Sequence, residues 1–253
     1  MLFSETGRPE LPTIVLFHGG GLSDWSWRHV AERLKPAYHI VTPVIDGHGE
    51  DGNEEFTSIE DCAAKALRYI TQRHGGKVFA IGGLSLGAQI VAEMLTQKGD
   101  VARHAIIESA LVCPIRGIGA ITVPMYQCCY GLIKKRWFSK LQARALRVPA
   151  GMFEAYYQDS LRMSRQSLIN MTVSNGTYRL RAPIARTSAK TLVIAGGREI
   201  GVMKKSAGLL HAAIPQSRLL IARGMAHGQL SLDCPDAYVG QLKELFSQSQ
   251  PSI

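Results

Sequence analysis

The chain predicts an α/β fold, a mostly parallel, doubly wound sheet with helices on both faces. Three observations carry that expectation. Short β-branched runs alternate with helical patterns along most of the 253 residues, the pattern of a parallel sheet covered on both sides. A strand-like run, Lys77–Gly82, passes into the helix former Ala88–Leu95 through Gly83-Leu84-Ser85-Leu86-Gly87, a serine between glycines at a strand-to-helix turn. The length is large for one ordinary domain but suits a single α/β domain carrying an insertion.

Taken in order, Thr13–Phe17 reads as a strand ending in His18-Gly19-Gly20-Gly21. Ser23 or Asp24 then caps a helix carrying Trp25, Trp27, Val30 and Leu34. Tyr38–Thr42 is the next strand, followed by the loop Asp46–Gly52. A helix from about Ile59 to Arg73 is led by Ser58 and carries Glu60 and Asp61 in its first turn, and these two acidic residues suit the positive end of a helix dipole. The Ser85 strand and helix follow, then a strand at Arg103–Glu108. The pattern lapses and resumes with strand Lys190–Ala195, a helix over Val202–Ala213, strand Ser217–Ile221 and a closing helix from Pro235 to Phe246. No internal repeat interrupts this series.

Composition excludes several classes. The five cysteines are scattered, with no Cys-x-x-Cys or Cys/His metal spacing, so reduced thiols are expected rather than a disulfide framework or a metal site. Residues Met1–Glu10 lack a basic segment followed by an apolar one, and no stretch is apolar enough for long enough to span a bilayer. The expected location is cytoplasmic.

With these stretches in this order, the chain resembles the α/β-hydrolase family over nearly its whole length. The resemblance rests on His18-Gly19-Gly20-Gly21, on Asp46-Gly47-His48-Gly49, on the Ser85 turn, and on an acid-then-histidine pair near the end. It implies a sheet of the α/β-hydrolase type with a helical cap inserted after the strand ending near Glu108. The expected division is a hydrolase core from 1–110 and 190–253 with a basic cap or lid at 111–189. The implied activity is that of a serine esterase-like hydrolase. Its substrate would be a small or medium carboxylic ester, lactone or thioester, and it would use no cofactor. The same fold also runs C–C bond hydrolysis and lyase chemistry, and a non-catalytic ligand receptor is the remaining alternative.

Ser85 is the expected nucleophile. Its backbone is forced into a strained bend that glycines on both sides make room for. The resemblance implies a histidine after the last strand, and His227 in Gly224-Met225-Ala226-His227 matches. An imidazole titrating near neutrality suits a group that takes and returns the serine proton. Glu199, after Gly196-Gly197-Arg198, stands where the family places its acid, although aspartate is more usual there. Glu108, at the end of the strand after Ser85, is the rival, and both stay open. Backbone N–H groups of Leu86 and Gly20 are the expected oxyanion donors, the former helped by its place at a helix N-terminus. His18 and His48 are expected to brace loops. His29, His39, His74, His104 and His211 are expected on the surface or hydrogen-bonded, and Asp24 and Asp46 as a cap and a turn residue.

The formal net charge is +9, and its excess is concentrated between Leu111 and Lys190. Thirteen Lys and Arg, from Arg116 to Lys190, stand there against only Glu154 and Asp159. Interspersed Met, Tyr, Trp and Phe (Met125, Tyr126, Tyr130, Trp137, Phe138, Met152, Phe153, Tyr156, Tyr157, Met163) suggest amphipathic helices with an apolar underside facing Ser85. The bases then form either a solvated outer face or an electrostatic entrance for anionic acyl substrates. A small-molecule acyl substrate is the expected partner, with neither nucleic acid nor stable membrane anchoring. Acyl specificity and oligomeric state are not legible in the sequence.

Overall fold

The computed structural model describes residues 1–247; residues 248–253, the tail of the expected C-terminal core stretch, lie outside the described residues. Seven strands form one sheet: β1 (Leu2–Thr6), β2 (Thr13–Phe17), β3 (His39–Val44), β4 (Val78–Leu84), β5 (Ala102–Glu108), β6 (Lys190–Gly196) and β7 (Ser217–Ala222). Their order is β1-β3-β2-β4-β5-β6-β7. All pairings are parallel except that of β1 with β3. The sheet is therefore mostly parallel with helices on both sides. β1 escapes the sequence pattern because its exposed edge position leaves no continuous apolar run: Leu2 and Phe3 are followed at once by Ser4, Glu5 and Thr6.

Every residue of β2 and β3 is buried, as a strand covered on both faces requires. Two large clusters sandwich the sheet. One joins Val15, Phe17, Ile81 and Ile107 to helix α2 (Ile59–His74) and helix α3 (Leu86–Gln97). The other joins Ile14, Leu16, Ile106 and Leu192 to α1 (Arg28–Leu34), to Trp27 just before it and to Tyr238 near the end of the chain. As expected, Ser58 caps α2, its Oγ accepting from Asp61 N at 3.1 Å. The helix expected after Ser23 is split instead, a 3-10 turn at Asp24–Trp27 preceding α1. Neither candidate caps it. The Ser23 side chain makes no cap bond, and Asp24 accepts from the Ser4 and Ser23 hydroxyls. Asp46 is more than a turn residue: it is buried and paired with Lys65 at 2.5 Å.

Between β5 and β6 the chain forms α4 (Ile118–Ile133), α5 (Arg136–Ala145), α6 (Phe153–Arg162) and α7 (Arg165–Thr177). A small cluster of Ile133, Met163 and Leu168, with Tyr126, Tyr130, Phe138 and Met171 against it, holds these helices together. Of the apolar residues expected on one underside, Met152, Tyr156 and Met163 are buried, whereas Met125 and Trp137 are exposed. Sequence spacing marks which residues are apolar, but not which side of a short helix finds a partner. The chain closes with α8 (Gly201–Ala213), α9 (Gln229–Asp233) and α10 (Pro235–Ser247).

The topology positions the site. From β2 the chain goes to β3 on one side and then to β4 on the other. The loops leaving β2 and β4, whose ends pair Phe17 with Gly83, therefore diverge and open a crevice. In open α/β sheets that switch point is where ligands bind.

Candidate active site

Ser85 sits at the crevice between β4 and α3, with φ 55° and ψ −112°, a conformation L-residues rarely adopt. Its surroundings hold it there. Ser85 N donates to Glu108 O at 2.8 Å, and Ser85 O accepts from Gln89 N at 3.0 Å. Neighbouring chain leaves no room for side chains beside it. A Cβ on Gly83 would collide with Gly87 C and O, and one on Gly87 with Phe17 O. This close approach explains both glycines of the pentapeptide.

The loop after β7 brings His227 to the same place. Ser85, His227, Gly19 and Gly20 line one cavity of about 50 Å³. The His227 side chain is 46 % exposed, so the site opens to solvent, and its Nδ1 lies 3.4 Å from Glu199 Oε1. Glu199 is buried. Burial alone would raise its pKa, but the hydrogen bonds of His227 and Ser109 outweigh that and hold it below the ordinary glutamate value. Two backbone bonds clip the acid loop to the histidine loop, Gly197 N to Ala222 O at 2.8 Å and Arg198 N to Met225 O at 2.9 Å.

Glu108, the rival acid, is also near but differently placed. Its buried carboxylate accepts from Ser231 N at 3.4 Å, and its second oxygen has no partner among the described residues. Burial raises its pKa to about 7, against weaker lowering by the Ser231 bonds and by His227. The direct contact to the imidazole belongs to Glu199.

Sequence reasoning missed Ser109. It is buried, has φ 58°, and its Oγ donates to Glu199 Oε1 at 2.5 Å. It also accepts from Gly228 N at 3.4 Å, while its own N donates to Ile194 O at 2.8 Å. One side chain thus ties the end of β5 to the acid loop and the histidine loop. No residue pattern marks it; only the strained φ does, and that is a property of the folded chain.

Gly20 and Leu86, the expected N–H donors, are neighbours: a Cβ on Gly20 would lie 3.7 Å from the Leu86 Cβ. His18 braces the glycine loop as expected. Its Nε2 accepts from Ile45 N at 3.1 Å, which makes Nδ1 the protonated nitrogen, donating to Gly19 O at 2.9 Å. Burial drives its pKa down to about 3, so the ring is a neutral strut. His48 is likewise buried, with Nδ1 3.0 Å from Asp46 O. His104 departs from the surface or hydrogen-bonded expectation. It is buried against Phe79 and Phe246 with both ring nitrogens unpartnered among the described residues, and burial lowers its pKa to about 4.

A second cavity of about 280 Å³ adjoins the first, sharing Gly20, Ala145 and Leu146 with it. Its further lining comes from the inserted helices, including Tyr126, Ile133, Tyr156, Met163, Leu168 and Met171, and no charged side chain lines either cavity. Larger open clefts, of about 580 and 790 Å³, lie away from Ser85 and His227; chemistry rather than size identifies the site. Among the described residues no group of three His, Cys, Asp or Glu could hold a metal ion.

The model of the alpha/beta hydrolase family matches residues 14–241. The chain belongs to that family. Among solved structures, a carboxylesterase of Nitrososphaera gargenis superposes with TM-score 0.79 at 15% identity, covering 98% of this chain and 95% of that one. The enol-lactonase of Burkholderia xenovorans LB400 gives 0.79 at 14%, covering 97% and 96%. At such identities these hydrolases share the fold alone. A curated relative, the pimeloyl-[acyl-carrier protein] methyl ester esterase of Vibrio vulnificus, is 29% identical over 35% of this chain. A haloalkane dehalogenase of Bradyrhizobium diazoefficiens is 29% identical over 22%. The matched stretches span only 33% and 18% of those relatives' lengths.

Proposed function

We propose that this alpha/beta hydrolase is a cytoplasmic serine hydrolase that cleaves a small or medium ester, lactone or thioester through an acyl-enzyme on Ser85. The observation that carries the reading is Ser85 and His227 sharing one cavity, with Glu199 at 3.4 Å behind the imidazole. The curated relative that is a methyl ester esterase supports it.

In this reading Nδ1 of His227 donates to Glu199, which leaves Nε2 to take the Ser85 proton as Oγ attacks the carbonyl. The carboxylate fixes the tautomer and stabilises the imidazolium that forms. N–H groups of Leu86 and Gly20 hold the oxyanion; losing one such donor typically costs about 2.7–4 kcal/mol in the barrier. His227 returns the proton to the leaving group, and water then deacylates Ser85 by the same route. Residues 111–189 serve as the cap, and the 280 Å³ chamber takes the acyl group. Its uncharged lining favours a neutral, apolar acyl chain over an anionic one, because a buried carboxylate there would have no cation to pair with. The bases then act outside the cavity.

A fluorophosphonate probe tests the reading. Wild type is expected to label and Ser85→Ala to stay unlabelled. An unlabelled wild type, or equal labelling of the variant, overturns it.

A further inference from the structure

The inserted helices leave an apolar and basic surface that the chemistry at Ser85 does not use. Helix α5 presents Trp137, Lys140, Leu141 and Arg144 at i, i+3, i+4 and i+7, one stripe of a helix. All four are exposed, Trp137 by 64% and Leu141 by 60%. Lys140 and Arg144 have no carboxylate partner among the described residues, whereas Arg136, Arg147 and Arg162 are paired with Glu154, Asp233 and Asp159. Helix α4 beside it contains no Asp, Glu, Lys or Arg in sixteen residues, and it exposes Ile121 by 66% along with Val123, Met125 and Leu132.

We propose that this face docks the protein reversibly on an anionic lipid surface. A bilayer interface accepts apolar side chains, seats tryptophan at the headgroup level, and attracts Lys and Arg without requiring directional partners. The stripe offers that combination and no acidic group. A second copy of the chain packed stripe against stripe fits poorly, because Lys140 and Arg144 would face the same two bases with no acidic group on the stripe to offset them. The surface is for lying on a membrane, not crossing one. None of the described helices is long and apolar enough to span a bilayer.

Docking would also place the catalytic cavity. The last residue of α5, Ala145, and the following Leu146 line the cavity that holds Ser85 and His227. From Trp137 to Ala145 the helix rises about 12 Å, so a docked α5 brings the cavity mouth within reach of lipid-dissolved apolar compounds. The binding itself does not depend on the reaction assigned to Ser85.

The test is flotation with vesicles of phosphatidylcholine alone and of phosphatidylcholine mixed with phosphatidylglycerol. The expected result is at least ~10-fold tighter binding to the mixed vesicles, lost at high salt, with a blue shift of tryptophan emission. Two variants, Trp137→Gln/Leu141→Gln and Lys140→Glu/Arg144→Glu, are expected to lose that binding while keeping wild-type melting temperature and hydrolysis of a soluble ester. Equal binding to both vesicle types, no binding, or variants that bind like wild type would overturn the proposal. So would a wild-type dimer in sedimentation velocity that Trp137→Gln/Leu141→Gln dissociates, since a second copy would then cover the face.

Discussion

Replacing Glu108 by glutamine separates the two acids that the sequence left open. Glu108 is fully buried, and burial raises its pKa from an ordinary 4.5 to about 7. That gap corresponds to about 3 kcal/mol of differential stabilisation of the neutral form. The sign follows from linkage. Between these pH values the unfolded chain has released the proton that the native state retains, so stability falls as pH rises from 4.5 toward 7. Above 7 the native carboxylate is ionised and the full cost is present. Glutamine is neutral throughout and can still accept from Ser231 N. Glu108→Gln should therefore match wild type in urea unfolding below pH 4 and exceed it by up to about 3 kcal/mol above pH 8. Because His227 contacts Glu199 and not Glu108, kcat on a p-nitrophenyl ester should stay within a few-fold of wild type. A variant no more stable than wild type at pH 8 would refute the burial argument. A loss of activity comparable to that of a histidine variant would make Glu108 the acid.

Other substitutions probe the remaining contacts. Glu199→Gln should lower kcat by about 10³–10⁴ with KM little changed, since the imidazole loses its anionic partner and its tautomer; steady-state kinetics showing a near-normal variant would reverse the assignment. Ser109→Ala and Ser109→Gly both remove the bond to Glu199 and should lower kcat about 10-fold. The glycine should be the more stable of the two, by about 1 kcal/mol in thermal unfolding, because φ 58° suits it and not alanine. Equal stabilities would argue against strain at that position. Leu146→Trp, at the junction of the two cavities, should raise KM for longer acyl esters while leaving acetyl ester turnover near wild type, as an acyl-length series would show.

The fold, and the residues that the structure gathers at the candidate site, were legible because they rest on local signals. The β-branched runs at Thr13–Phe17 and Thr191–Ala195 are buried on both faces and look it. The glycines flanking Ser85 are required by contacts so close that no other residue fits. Fragile signals failed for physical reasons. β1 is an edge strand with one wet face, and the Ser23 helix starts as a 3-10 turn whose cap makes no side-chain bond. His104 finds its phenylalanine neighbours on the adjacent strand β4 and on α10, far from it in sequence.

The sequence by itself determined the alternation of strands and helices, the serine turn, the histidine after the last strand and the basic excess of the insertion. Each of these is written in neighbouring residues. Tertiary structure alone decided which glutamate meets His227, because Glu108 ends β5 and Glu199 lies in the loop after the adjacent β6, and only the folded chain shows which carboxylate reaches the imidazole. It brought in Ser109, whose role depends on a strained φ and on two loops far away in sequence. It also turned Trp137 and Leu141 outward, since a short amphipathic helix takes its buried face from whatever packs against it.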